Sequence, residues 1–438
     1  MKRMMMEATD ANVLQTIEND KLERTNDIKS FVDILDSIDY NAFISIDAAW
    51  GNGKTFFVRQ IEMTLRYHNK LSFGKEITQE ERNAFDSNTM LKDLEMKNIY
   101  FPVYYNAWLY DNHANALLSL VLVAIKQSQR YIDTTLSGPL ADKVSSIMDS
   151  IQFWKSSNWK ELQKSFKDKD VLEETKLLEE TRDLIKTVFD EIIVEQGQKL
   201  VIFVDELDRC KPTFAIEVLE SIKHFFDDDR VIFVVSLNKS QLIHTIRNYY
   251  GVGFDSSSYL NRFFDIPLQL PECNMDLYLK MLELKKYSDL KLTRVANELR
   301  NQYQLSMRDT AIYLGRIQKI ESNCSTYGRD TWSLLAIFIP IIFLLDMTRV
   351  EDKKKVLEGK GEDILQSIIS KSESAKIIIR NLPARLEANE DAYKKGWDEF
   401  IEIYKFAFVN NNGHIWYPGS VEIDAGFKNI CLRVCNEI

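Results

Sequence analysis

Short apolar runs bounded by polar or turn-forming residues punctuate the N-terminal two thirds of the chain. Phe43-Ile44-Ser45-Ile46, Tyr100–Tyr105, Leu200–Val204, Val231–Val235 and Asp265–Leu270 are each too short for a helix and rich in β-branched or aromatic residues. Runs such as Leu200-Val201-Ile202-Phe203-Val204 fit strands buried on both faces, as in a parallel sheet. Between them the period changes. Residues 214, 215, 218, 219, 222, 225 and 226 are apolar at helical spacing, and Ile28, Phe31, Val32, Ile34 and Leu35 form a similar stripe. The pattern predicts helices over Phe56–His68 and Thr213–Phe226, and a polar helical segment over 1–38. Residues 70–97, charged and containing Ser, Asn and Asp, are expected as a loop or solvated insertion.

The prolines test the strand order 5-1-4-3-2, which is expected when the acidic-ended strand does not neighbour the phosphate-loop strand. Proline cannot donate to a strand ladder and belongs at edges or strand starts. Pro102 lies in the second run and Pro267 in the fifth. That parallel order puts those two strands at the edges. From 272 onward the pattern is helical, except for turn signals at Asn410–Gly413 and Tyr417–Ser420. The expected architecture is a three-layer α/β/α core over 39–272 with a helical insertion at about 114–198. A helical lid over 273–325 and a helix-rich domain over 326–438 follow.

Two strand ends carry chemistry. After the first comes Asp47-Ala48-Ala49-Trp50-Gly51-Asn52-Gly53-Lys54-Thr55. A strand, a glycine turn and Gly-Lys-Thr opening a helix form the layout of a phosphate-binding loop, in which backbone N–H groups and the helix N-terminus converge on an anion. Ala48 stands where the full pattern has its first glycine. Lys54 is expected to reach the β- and γ-phosphates and Thr55 to place its hydroxyl on Mg²⁺. The third strand ends in Asp205-Glu206, at the sheet edge where α/β folds bind ligands. Asp205 is the expected metal carboxylate and Glu206 the group that orients the attacking water. Either motif alone also reads blandly, as a turn before a helix or as a solvated strand end. Both in order after buried strands imply a nucleoside-triphosphatase.

Composition narrows this reading. A formal net charge of −10 counts against nucleic-acid binding by the whole surface. The five cysteines are widely spread and odd in number, which fits a reducing, cytoplasmic compartment; Cys431 and Cys435 read as core residues. The N-terminus holds acidic residues and no long apolar run, so no signal peptide is expected. Ala116–Ile125 and Trp332–Leu345 fall short of the roughly 20 apolar residues that span a bilayer, so both are expected as buried helices and no transmembrane segment is predicted.

The chain resembles the KAP group of P-loop NTPases, relatives of AAA+ and STAND ATPases. The resemblance rests on Ala49–Thr55, Tyr105-Asn106-Ala107-Trp108, Asp205-Glu206-Leu207-Asp208-Arg209-Cys210, Tyr259–Pro267 and Ser306-Met307-Arg308-Asp309. It implies Mg²⁺-dependent hydrolysis of ATP, or of GTP in second place. It makes Ala49, Trp50, Gly51, Asn52, Gly53, Lys54, Thr55 and Phe56 the nucleotide-binding loop. It further implies Asn238 as a sensor at the end of the fourth strand, though the family usually has an acid there. Arg262 occupies the place where AAA+ relatives present an arginine to a neighbouring subunit; the alternative is a local pair with Asp265 or Glu206. Arg308 is implied as a lid contact to the γ-phosphate. Asp208 and Arg209 are expected to pair with each other, and Trp50 and Trp108 to pack together beneath the loop.

The resemblance also implies a homo-oligomer and, as in bacterial members, a part in defence against phages beside a separate effector. Three activities remain open on these grounds: an ATPase driving a conformational cycle, a slowly hydrolysing nucleotide-gated switch or scaffold, and a nucleic-acid-dependent motor. No basic-aromatic motif supports the third.

Overall fold

The computed structural model describes residues 7–73, 77–113, 115–129, 182–190, 192–193, 197–284, 291–323, 328–382, 391–409, 415–416, 422–423 and 426–436. The chain divides into two compact units between Cys273 and Asn274. The first holds five strands: β1 (Ala42–Asp47), β2 (Tyr100–Asn106), β3 (Lys199–Asp205), β4 (Val231–Leu237) and β5 (Ile266–Gln269). All pairs are parallel, in the order β2-β3-β4-β1-β5, which is the predicted order read from the other edge. The two proline-bearing strands are the edges, so neither Pro102 nor Pro267 interrupts a central ladder.

Alternation along the strands makes two cores. Ala42, Ile44, Ile46, Val201, Phe203, Ile232 and Val234 pack on one face with the helices Asp10–Ile17, Thr25–Ser37 and Lys54–His68. Phe43, Ile202, Val204, Phe233 and Val235 pack on the other with the helices Ala116–Gln129 and Pro212–Phe225. Phe43 and Phe233 stack there at 5.4 Å between centroids. Because the strands are parallel, the C-terminal ends of β1, β3 and β4 share one edge, and Asp47, Asp205 and Asn238 emerge there together.

One expectation about secondary structure fails in this unit. The polar stretch 70–97 is no solvated loop: it contains the helices Gln79–Ser87 and Thr89–Lys92, and Phe85 and Leu91 are fully buried. Tyr67 stacks on Phe85 at 4.1 Å. The first helix opens with a capping box, in which the Thr78 hydroxyl accepts from the Glu81 amide at 3.1 Å and Glu81 Oε2 from the Thr78 amide at 2.8 Å. A few apolar anchors spaced among many charges give no apolar run to read. Most of the expected insertion (130–181) lies outside the described residues, as do the turn signals at 410–413 and 417–420.

The second unit is helical around Arg329–Thr348, which includes Pro340 and buries every residue from Leu334 to Leu345, the proline among them. Polar residues at both ends extend this helix to 20 residues, past the 14-residue apolar run. Among the described residues it is the one helix long and apolar enough to cross a membrane, but most of it is buried inside the unit. Tyr313 donates to the Pro340 carbonyl at 3.1 Å. The charged stretch after it forms the helices Val350–Leu357, Glu362–Ile369 and Glu373–Arg380, each burying one apolar face. Cys431 is buried and Cys435 packs against the same core.

Candidate functional site

The phosphate loop owes its path to two glycines. Gly51 and Gly53 have φ of 84° and 85°, in the left-handed region that a side chain disfavours. Gly53 is the N-cap of the helix Lys54–His68 and supplies no side-chain cap, so the first-turn amides are left for a ligand. Lys54 lies back along its own loop, donating to the Ala48 carbonyl at 2.7 Å and the Ala49 carbonyl at 3.4 Å. Burial lowers its pKa, and Asp208, Asp205, Glu206 and Asp47 oppose that shift. This half-buried ammonium bonds only to two loop carbonyls, with carboxylates nearby but none in an ion pair with it, and phosphate oxygens would give it a charge-assisted partner.

The end of β3 meets the loop. The Thr55 hydroxyl donates to Glu206 Oε1 at 3.2 Å. Asp205, 1 % exposed, accepts from the Glu206 amide at 2.9 Å through Oδ1 and from the Tyr104 hydroxyl at 2.9 Å through Oδ2. The Arg59 guanidinium covers the Tyr104 ring at 4.7 Å from its centroid, so Asp205 is oriented by a phenol that is itself held. Glu206 has φ 63°, a left-handed conformation rare outside glycine, at the point where the strand turns into the short helix Leu207–Arg209. Burial, and then the neighbouring Asp205, raises its pKa, while Arg209 acts the other way. Cys210, pushed up to about 12 chiefly by burial, is an unreactive thiol.

These oxygens suit a hard divalent cation: a hydroxyl and two carboxylates converge beside an anion-binding loop, the donor chemistry Mg²⁺ takes. No cluster of three or more His, Cys, Asp or Glu that could hold a metal unaided occurs among the described residues, so phosphate and water would complete the coordination.

Other sequence expectations change. Trp50 and Trp108 are 45 % and 50 % exposed, neither core nor packed together. The Trp50 indole N–H donates to Asp208, and Trp108 lies under the Arg209 guanidinium at 5.6 Å. Asp208 and Arg209 therefore do not pair; Arg209 pairs with Glu206. The short helix carries the two side chains in different directions, and each takes the partner it faces. Phe56, partly buried, packs against the core face of the loop helix. Asn238 caps the helix Lys239–Tyr250, its Oδ1 accepting from the Gln241 amide at 3.1 Å. Asp47, which the sequence reading left without a role, ties two strand ends to β1 by accepting from the Lys239 amide at 2.9 Å and from Gln269 at 3.1 Å.

Arg262 follows the helix Ser256–Asn261 and is exposed. It makes no ion pair among the described residues: Glu206 goes to Arg209, and Lys223 lies 3.6 Å from Asp265. Arg308 belongs to the second unit, in the first turn of the helix Met307–Asn323, where the Ser306 hydroxyl donates to Asp309 at 2.8 Å. Tyr104 and Arg59 carried no signal in the sequence; only pairing of β2 with β3, opposing Tyr104 to Phe203 and Asn106 to Asp205, brings the phenol to the metal carboxylate.

Compared with curated proteins, the chain matches none. A family model described as the KAP family P-loop domain matches residues 24–338, more than half of the chain and both halves of the site. With the parallel sheet in P-loop order and Lys54–Thr55 meeting Asp205–Glu206 at its C-terminal edge, the chain belongs to the KAP family of P-loop NTPases.

Proposed function

We propose that this protein is a Mg²⁺-dependent ATPase whose binding and hydrolysis of ATP drive a conformational change or the assembly of an oligomer. The observation carrying the reading is the contact of Thr55 with Glu206, which joins the loop to the acidic strand end. Loop amides and Lys54 would hold the β- and γ-phosphates. Thr55 and Asp205 would hold Mg²⁺, which supplies charge neutralisation on the phosphates. Glu206 would orient the attacking water and accept its proton, and a carboxylate of raised pKa is the stronger base once ionised.

Family resemblance alone extends the reading to a cytoplasmic role in bacterial anti-phage defence, with a separate effector protein as partner. A second reading has specific support. Both oxygens of Glu206 are engaged, by Thr55 and by Arg209, so the base must let go of both before it can take water. That favours a slowly hydrolysing switch or scaffold that recruits its effector. The test is steady-state ATP hydrolysis over a protein concentration series, beside Glu206→Gln. Turnover that falls by orders of magnitude in the variant, with ATP binding retained, supports the ATPase. Equal turnover in both proteins would sink the assignment, and tight binding without turnover selects the switch.

A further inference from the structure

Arg24 is the largest fully buried side chain among the described residues, at 1 % exposure, and none of their carboxylates forms an ion pair with its guanidinium. A buried charge without an ion pair is costly and needs a structural reason. Its partners are three backbone carbonyls. Nη1 donates to Gly53 at 3.2 Å, and Nη2 donates to Asn52 at 3.4 Å and to Pro271 at 3.2 Å. Phe57, from the first turn of the loop helix, presents its ring 5.5 Å from the guanidinium carbon. The residue itself is fixed by its backbone, the amide donating to Asp20 at 2.9 Å just before the helix Thr25–Ser37.

In a trans peptide the carbonyl and the following N–H point in opposite directions. Holding the Asn52 and Gly53 carbonyls toward Arg24 therefore turns the Gly53 and Lys54 amides away from it. Those are the loop donors that a phosphate would take. We infer that Arg24 is a positioning residue for the phosphate loop, bracing it from behind so that its amides and a fixed positive charge face the nucleotide's β-phosphate. The third contact, to Pro271, ties the loop to the chain leaving β5. The inference rests on the proposed nucleotide reading, but assigns the brace to a residue far outside the loop motif.

The experiment is calorimetric affinity for ATP, ADP and AMP in wild type, Lys54→Ala, Arg24→Met and Arg24→Lys. Loss of a charge-assisted brace should weaken ATP and ADP binding by about 10- to 100-fold in Arg24→Met. AMP, which lacks the β-phosphate, should change little. Arg24→Lys keeps the charge but reaches fewer carbonyls, should fall in between, and carries the test if the methionine variant does not fold. Unchanged ATP affinity in the folded variants overturns the brace, as does an equal loss for all three nucleotides, the mark of general loosening. Wild type that binds none of them, like Lys54→Ala, overturns the nucleotide reading itself.

Discussion

The hydroxyl of Thr55 and the carboxylate of Glu206, 151 positions apart in the chain, lie 3.2 Å from each other. Parallel strands separated by β4 deliver them to the same sheet edge. In a loaded site the threonine would turn to the metal and the glutamate to water, so each now holds the group the other must release.

Thr55→Ala should therefore lose more than this hydrogen bond. Turnover is expected to fall by about 100-fold or more, with a steep rise in the Mg²⁺ needed, because the hydroxyl is a proposed ligand. Thr55→Ser should keep most of the activity. A Mg²⁺ titration of ATP turnover checks this, and an alanine variant with wild-type Mg²⁺ dependence removes Thr55 from the metal.

Burial holds the Glu206 pKa above its ordinary 4.5. Between 4.5 and the raised value the folded protein keeps a proton that the unfolded chain has released, so stability must fall as pH rises through that window. Glu206→Gln cannot ionise. Denaturant unfolding from pH 4.5 to 7 should show the variant gaining on wild type with rising pH; parallel curves would refute the shift.

Phe85 tests whether the charged stretch before β2 is integral. Phe85→Ala should cost about 3–5 kcal/mol, the usual range for a buried phenylalanine. Urea unfolding reads this directly, and a loss below about 1 kcal/mol would mean that the helix Gln79–Ser87 is a dispensable appendage.

Arg262, exposed and without an ion pair among the described residues, is the residue proposed to act on a neighbouring copy. If it does, mixing Arg262→Ala with Glu206→Gln protein should restore part of the turnover each has lost, because some interfaces then hold one intact set. Absence of restoration at every mixing ratio argues against action in trans.

The strands and both halves of the candidate site were legible in the sequence because each rests on local pattern, whereas the strand order was an expectation for a phosphate-loop sheet with which the two prolines agreed. Five apolar residues before Asp205 need burial on two faces, Gly53-Lys54-Thr55 needs a helix behind a turn, and Pro102 and Pro267 need free edges. The helices of 79–92 could have been found from Thr78 and Glu81, whose spacing is a capping box, but the surrounding charge masked two buried anchors. Partnerships were not legible. Nothing local says that Arg209 takes Glu206 and leaves Asp208 to Trp50, that Tyr104 holds Asp205, or that Arg24 stands behind the loop. Periodicity records which face of an element is buried. A buried polar group takes whichever partner the assembled chain brings within about 3 Å, and only the tertiary structure decides that.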